Sequence, residues 1–197
     1  DRPMEGFRFA GTLISNGDLF LNGNTDEEHA ANYIGNNHGG LLKLKNEYYI
    51  FYHRQTNRSS YSRQVCAERI PVDENGTFLQ AEMTSCGLNG GPLEGRGVYG
   101  ARIACNLWSR EGTGRYDCQR PKQRYKSHPY FTQEAKGDGG ARQYIANMQD
   151  GSVAGFKYFR IDRDVKISVK VRGTANGMMR VYQDADRKQA ADCIPLN

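Results

Sequence analysis

The sequence predicts an all-β protein, and three observations lead there. Glycine occurs 23 times and tyrosine 12 times against 6 prolines in 197 residues, the composition of a turn-rich β chain rather than a disordered one. Apolar residues gather in short runs between turn residues, often alternating with polar ones, which is a period of two rather than 3.6. No run approaches the ~18 apolar residues of a membrane-spanning helix, so no membrane partner is expected. At 38% apolar, the core has to be economical.

The elements follow in order. Residues 7–14 alternate so that Phe7, Phe9 and Leu13 share a face, which predicts a first strand. Turn chemistry follows at Asn16-Gly17-Asp18 and Asn22-Gly23-Asn24, and residues 26–34 have room for one helical turn. Residues 40–44 and 48–53 are β-rich runs around Lys45-Asn46-Glu47, a hairpin. Residues 63–70 predict a third strand and residues 77–83 a fourth, across Asp73-Glu74-Asn75-Gly76. Four antiparallel strands in about 50 residues is the size of one propeller blade. A glycine-rich connector, residues 86–100, leads to a second β region whose clearest strands are 155–161, 165–171 and 178–182. In the middle one Val165, Ile167, Val169 and Val171 alternate with Lys166, Ser168 and Lys170, a sheet with one wet face as in a β-sandwich. A single blade cannot bury both faces without neighbours, and about five strands are few for a sandwich. The chain therefore reads as a segment of a longer protein.

Net charge is +5 and unevenly placed: residues 1–94 carry 8 Lys and Arg against 12 Asp and Glu, and residues 95–197 carry 19 against 10. That step reads as a domain boundary, because the basic residues are scattered rather than gathered into the stripe a nucleic-acid interface needs. Arginine outnumbers lysine 18 to 9, and its guanidinium suits sugar hydroxyls and uronate carboxylates. Cys66, Cys86, Cys105, Cys118 and Cys193 show no C-x-x-C spacing. Their odd number excludes a complete disulfide framework, nothing pairs them as zinc ligands, and they read as small buried hydrophobes. Gly95-Arg96-Gly97-Val98-Tyr99-Gly100 satisfies G-x-G-x-x-G. No hydrophobic strand precedes it and strand-like residues follow it, so it reads as linker rather than phosphate loop.

Particular motifs carry a resemblance. Asp1-Arg2-Pro3-Met4-Glu5-Gly6-Phe7-Arg8-Phe9-Ala10-Gly11 resembles a strand in the fourth of five propeller blades of family 43 glycoside hydrolases. Gly35-Asn36-Asn37-His38-Gly39-Gly40, followed by Tyr48-Tyr49-Ile50-Phe51-Tyr52-His53-Arg54-Gln55, resembles that family's last blade, and Ser62 to Ile70 continues the likeness. The second half is similar to a family 6 carbohydrate-binding module. Tyr144-Ile145-Ala146-Asn147 and Asp150 to Phe159 match its central strand pair, and Val171-Arg172-Gly173 to Gly177 its next hairpin. The resemblance implies the last blades of a five-bladed β-propeller over residues 1–85, a linker over 86–100, and a jelly-roll-like carbohydrate-binding sandwich over 101–197, incomplete at its C-terminus. It further implies a bacterial enzyme, secreted or at the cell surface, that cleaves arabinose or xylose units from arabinoxylan-like hemicellulose by inversion. Inversion needs two carboxyls far enough apart to seat a water. The family's catalytic carboxylates fall upstream of Asp1, so no residue of this chain is assigned a catalytic role and the segment alone is expected to be inactive. A non-catalytic carbohydrate-binding protein is the alternative.

The same resemblance sets His38 near the propeller axis beside a structural calcium ion. Calcium prefers oxygen, so the imidazole is expected to hold a metal-bound water; a histidine hydrogen-bonded in a tight glycine turn is the other reading. Arg58, with Arg54 and Arg63, follows the Tyr-His strand. Beside a substrate pocket such a guanidinium binds a sugar hydroxyl, and elsewhere it pairs with carboxylates across the blade. Tyr144 stands where the binding module presents an aromatic to the C–H face of a sugar ring, the alternative being a core tyrosine. Trp108, the sole tryptophan, reads as a loop anchor, Asp26-Glu27-Glu28-His29 as a solvated charge run, and Glu68 as a structural edge residue. The expected partner is a hemicellulose polysaccharide or oligosaccharide, with no nucleic acid; the oligomeric state is not legible.

Overall fold

The computed structural model describes residues 4–115, 124–134 and 143–196. The features expected at Asp1, Arg2, Pro3, Cys118 and Asn197 lie outside these residues. The fold is all-β, its described helical content being one α-turn, Arg124–Ser127, and the 3₁₀ turns Gly87–Asn89 and Ala101–Ile103. No described helix is long and apolar enough to cross a membrane.

Strands β1 (Gly40–Leu44), β2 (Glu47–Thr56) and β3 (Ser59–Ile70) form an antiparallel sheet in that order. The β1–β2 hairpin turns on Lys45 and Asn46, with Lys45 at φ +55° and Leu44 paired to Glu47. The period of two along β2 sends Ile50, Tyr52 and Arg54 to one face and Tyr49, Phe51 and His53 to the other. On the first face Ile50 packs with Ile70 and Ala81, and Tyr52 with Met83 and Cys105.

Two of the expected strands are corrected here. Residues 7–14 form no strand: Phe7 and Phe9 are more than 80% exposed, and Ile14 alone makes a bridge, parallel to Ala81. Residues 77–83 contribute single bridges, Phe78 to Val72 and Ala81 to Ile14, rather than a fourth strand. Alternation decides which side chains share a face, but a strand also needs an edge to hydrogen-bond along its length. Here that contact is a residue at a time, as where the Ala81 N–H donates to the Leu13 carbonyl over 2.9 Å.

The following residues form short pairs. Strand β4 (Leu93–Glu94) runs parallel to β9 (Phe159–Arg160), β5 (Asn106–Trp108) pairs antiparallel with β8 (Val153–Gly155), and β6 (Tyr130–Gln133) with β7 (Gln143–Ala146). The strand expected over 155–161 is split between β8 and β9. Between them Lys157 turns its backbone to Ser85, donating its N–H to Ser85 Oγ (3.2 Å) and accepting from the Ser85 N–H. Leu107 is fully buried against Ala104 and Phe131. Arg54, itself buried, reaches from β2 to donate to the Ala104 carbonyl (2.5 Å) and the Arg102 carbonyl, its guanidinium 3.6 Å from the Phe131 ring centre. Such contacts make Asp1–Arg163 one compact unit and Asp164–Asn197 another.

The second unit holds the antiparallel pair β10 (Gly177–Val181) and β11 (Asp192–Leu196), β10 matching the strand expected over 178–182. The strictly alternating run 165–171 is not a strand, and Ile167, Val169 and Val171 stay 41–58% exposed. Its period is right for a strand, but no described edge hydrogen-bonds to it. No sheet among the described residues closes on itself. Cys66, Cys86, Cys105 and Cys193 are free thiols; Cys105 is buried as expected and Cys193 is exposed. Burial raises the Cys66 and Cys105 thiols, which keeps them protonated and inert.

Candidate functional site

Five polar side chains converge where the Asn36-Asn37-His38 turn crosses β2. The chain passes so close over the Phe51 carbonyl at Gly39 that a Cβ there would collide with it, the physical reason for glycine after His38. His38 is exposed, and its ring meets the His53 ring edge-on at 4.4 Å between centres. His53 is 6% exposed. Its backbone N–H donates to Asn37 Oδ1 (3.3 Å), and its Nδ1, 3.2 Å from the His38 carbonyl, must carry the proton because a carbonyl only accepts. That leaves Nε2 of His53 as a bare acceptor, and it has no hydrogen-bond partner. Burial, then the neighbouring His38 and Arg63, lowers the His53 pKa, so the ring stays neutral at pH 7. Gln55 donates to the Asn36 carbonyl (2.8 Å) and to Asn36 Oδ1 (2.7 Å), and Asn37 donates to Asn16 Oδ1 (3.2 Å). The cluster offers amide and imidazole groups and no carboxylate. It can hold hydroxyls, but it cannot pair an acid with a base.

Its donors do not fit a calcium ion held by these residues alone. Calcium takes six to eight oxygens, whereas the Asn16, Asn36 and Asn37 side-chain oxygens already accept hydrogen bonds. No group of three His, Cys, Asp or Glu suited to a metal occurs among the described residues.

Arg58 and Tyr144 come to one sheet face. The β2–β3 turn, Asn57-Arg58, has both residues at positive φ and docks on β6, where the Asn57 N–H donates to the Phe131 carbonyl (2.8 Å) and Thr132 Oγ1 donates to Asn57 Oδ1. The Arg58 guanidinium lies 4.4 Å from the Tyr130 ring centre, a cation–π contact. Tyr144 stands opposite Thr132, and residues opposite one another or two apart share a face, so Tyr130, Thr132 and Tyr144 lie on the same side. Arg58 also lines a small cleft with Gln55, Asn32 and His128. Gln55 thereby belongs to both this cleft and the His38 cluster. Burial pushes the His128 pKa down to about 3.

The buried carboxylates Asp18 and Glu68, and the half-buried Glu82, are committed elsewhere. Lys157 Nζ lies 3.0 Å from Asp18 Oδ2 and 2.7 Å from Glu82 Oε1, and the Tyr158 hydroxyl donates to Glu82 Oε2 (2.8 Å). Glu68 accepts from the Thr84 N–H and hydroxyl, each at 2.7 Å. It lies on the edge strand β3, as expected, and is buried.

The chain is similar to a curated protein named xylosidase/arabinosidase from Thermoclostridium stercorarium. The two are 42% identical over 179 residues, which is 91% of this chain and 38% of the relative. The chain thus spans well under half the length of that protein. No protein-family model and no solved structure matches it.

Sequence reasoning missed His53 and the Asp18–Lys157–Glu82 cluster. His53 had a usable signal, since strand alternation puts it two residues from Gln55 on the side opposite Arg54. Lys157 had none, because its partners lie 139 and 75 residues away.

Proposed function

We propose that this chain is part of a glycoside hydrolase that releases arabinose or xylose units from arabinoxylan-like hemicellulose. The observation that carries this reading is the 42% identity to the xylosidase/arabinosidase along 91% of the chain. In the finer reading the enzyme is a bacterial, secreted or surface-bound member of family 43 and works by inversion. Residues 1–85 are the last blades of its propeller, 86–100 a linker and 101–197 a family 6-like binding sandwich. The acid and base lie outside these 197 residues. The commitment of Asp18, Glu68 and Glu82 to internal hydrogen bonds and ion pairs supports that assignment, as does the neutral polar character of the His38–His53 cluster, which suits hydroxyl binding. Arg58 and Tyr144 contact the polysaccharide from their shared sheet face.

The test compares the gene's complete product with residues 1–197 on p-nitrophenyl arabinofuranoside and xyloside, following the product anomer by proton NMR. Turnover with inversion is expected from the complete product and none from residues 1–197, since each missing proton transfer is worth ~10²–10⁴-fold. Turnover by residues 1–197 that vanishes on mutating one of its carboxylates sinks the assignment of acid and base. Inactivity of both removes the hydrolase reading.

His38, in this proposal, faces calcium through water, with the ion's oxygens supplied from elsewhere in the enzyme. His38→Ala is then expected to weaken calcium retention by the complete product about 10–100-fold, the usual effect of a ligand-supporting residue. Equal metal content by mass spectrometry after dialysis makes His38 a turn residue.

A further inference from the structure

We propose that the open cleft between residues 22–29 and β5 is a binding site for neutral saccharides, with Trp108 as its apolar platform. The cleft measures about 430 Å³, within the ~300–1,000 Å³ typical of small-molecule sites. Asn22, Asn24, Asp26 and His29 form one wall, and Asn106 and Trp108 the other. None of these touches His38 or His53 in the contacts described above, so this is a second site. The choice of xylan-type probes below rests on the hydrolase reading; the site itself does not.

The strand wall follows from the period of two. Leu107 is held in the core, so Asn106 and Trp108, one step to either side, face away from it. Pairing of Asn106 with Gly155 and of Trp108 with Val153 fixes them, and the Leu107 N–H donates to the Ala31 carbonyl (2.9 Å), tying the two walls together. A Cβ on residue 155 would stand 2.7 Å from the Asn106 Cβ, so glycine there gives Asn106 its place. The loop wall is equally braced. Asn24 donates its side-chain amide to the Gly17 carbonyl (3.1 Å), and its own carbonyl accepts from the Phe20 N–H (2.6 Å). Both walls are preformed, which lowers the ordering cost of binding.

The chemistry fits a sugar and selects among sugars. An indole covers the C–H face of a pyranose or furanose ring at little entropic cost, and amide side chains both donate to and accept from hydroxyls. No Lys or Arg lines the cleft among the described residues, whereas Asp26 does, paired with His29 at 2.8 Å. The Glu28 N–H and then His29 hold the Asp26 carboxyl below its ordinary range, so it is charged at neutral pH. Glu27, next in sequence, is paired with Arg115 at 2.5 Å. A uronate would meet the Asp26 carboxylate with no Lys or Arg among the described lining residues to pair with, Arg115 beside the cleft being engaged by Glu27, so neutral glycans are the ligands even though the chain's second half is net positive.

Because Trp108 is the chain's sole tryptophan, its emission reports on this cleft alone. Residues 1–197 are titrated with xylohexaose while tryptophan emission is followed. The wild type, Trp108→Ala and Asp26→Asn are then run by affinity electrophoresis in neutral arabinoxylan and in glucuronoxylan. The proposal expects a saturable emission change, arabinoxylan retardation lost in Trp108→Ala, and glucuronoxylan retardation gained in Asp26→Asn. Retardation of wild type without any emission change overturns the cleft but leaves glycan binding in place. Absence of both overturns the cleft too, and hydrolysis by the complete product then still upholds the enzyme. Should Trp108→Ala fail to fold, the wild-type emission titration decides alone.

Discussion

Lys157→Ala is expected to cost about 3–5 kcal/mol of folding stability, the usual effect of removing one partner from a buried ion pair. Asp18 and Lys157 expose only 8% and 20% of their side chains, and Glu82 27%. Burial raises the Asp18 pKa, while Lys157 and the Met83 N–H, which donates to Oδ1 at 2.7 Å, pull it back. Burial works against the Lys157 ammonium as well, yet the Asp18 charge and the hydrogen bonds to Glu82 and Asp18 outweigh it, and its pKa is raised. Without the ammonium, two carboxylates share a poorly hydrated space with no cation between them. The cluster also joins three distant stretches of sequence, residues 18, 82 and 157, so its loss loosens the packing of one part of the unit on another. Urea unfolding of wild type, Lys157→Ala and Lys157→Ala/Asp18→Asn measures the effect, and the double variant should recover part of the loss because one stranded charge is gone. A cost below about 1 kcal/mol would rank the cluster with exposed ion pairs, which contribute that little.

How much of this was legible beforehand depends on the range of the interaction. The β1–β2–β3 meander was readable because its signals, alternation and the turn at residues 45–47, are local, although β2 and β3 run beyond the expected 48–53 and 63–70 to a tight turn at Asn57-Arg58. The runs 7–14 and 165–171 carry equally good alternation and form no strand, since hydrogen-bonding edges are a property of the partner. The candidate residues divide the same way. His38 was visible through the resemblance carried by residues 35–40, and the structure adds why glycine follows it: the backbone at Gly39 passes too close to Phe51 for a side chain. That Arg58 reaches the sheet face on which Tyr144 lies depends on how the Asn57-Arg58 turn docks on β6, which no spacing in the sequence encodes. Trp108 looked like a loop anchor because its neighbours in space, Asn22 to His29, lie some eighty positions earlier.

Glu68→Gln is expected to flatten the pH dependence of stability and to become the more stable protein above neutral pH. Glu68 is 4% exposed, and burial pushes its pKa up to about 7 from an ordinary 4.5, although the Thr84 N–H and hydroxyl favour its charged form. The folded protein therefore keeps a proton there that the unfolded chain gives up at lower pH. Glu68's contribution is intact below about pH 4.5, falls as pH rises towards 7, and by pH 8 the shift amounts to about 3 kcal/mol. Glutamine keeps the shape and stays neutral: its carbonyl oxygen can accept from the Thr84 N–H, and its amide can donate to the Thr84 hydroxyl. His128 titrates with the opposite sense, its lowered pKa costing stability as pH falls below about 6.5. That contribution is common to both proteins and cancels in their difference. Urea midpoints between pH 4.5 and 8.5 should coincide at the acid end and separate in the variant's favour towards pH 8. Parallel profiles across that range would mean that folding ionises Glu68 without penalty, and that its hydrogen bonds to Thr84 fully replace the water it loses.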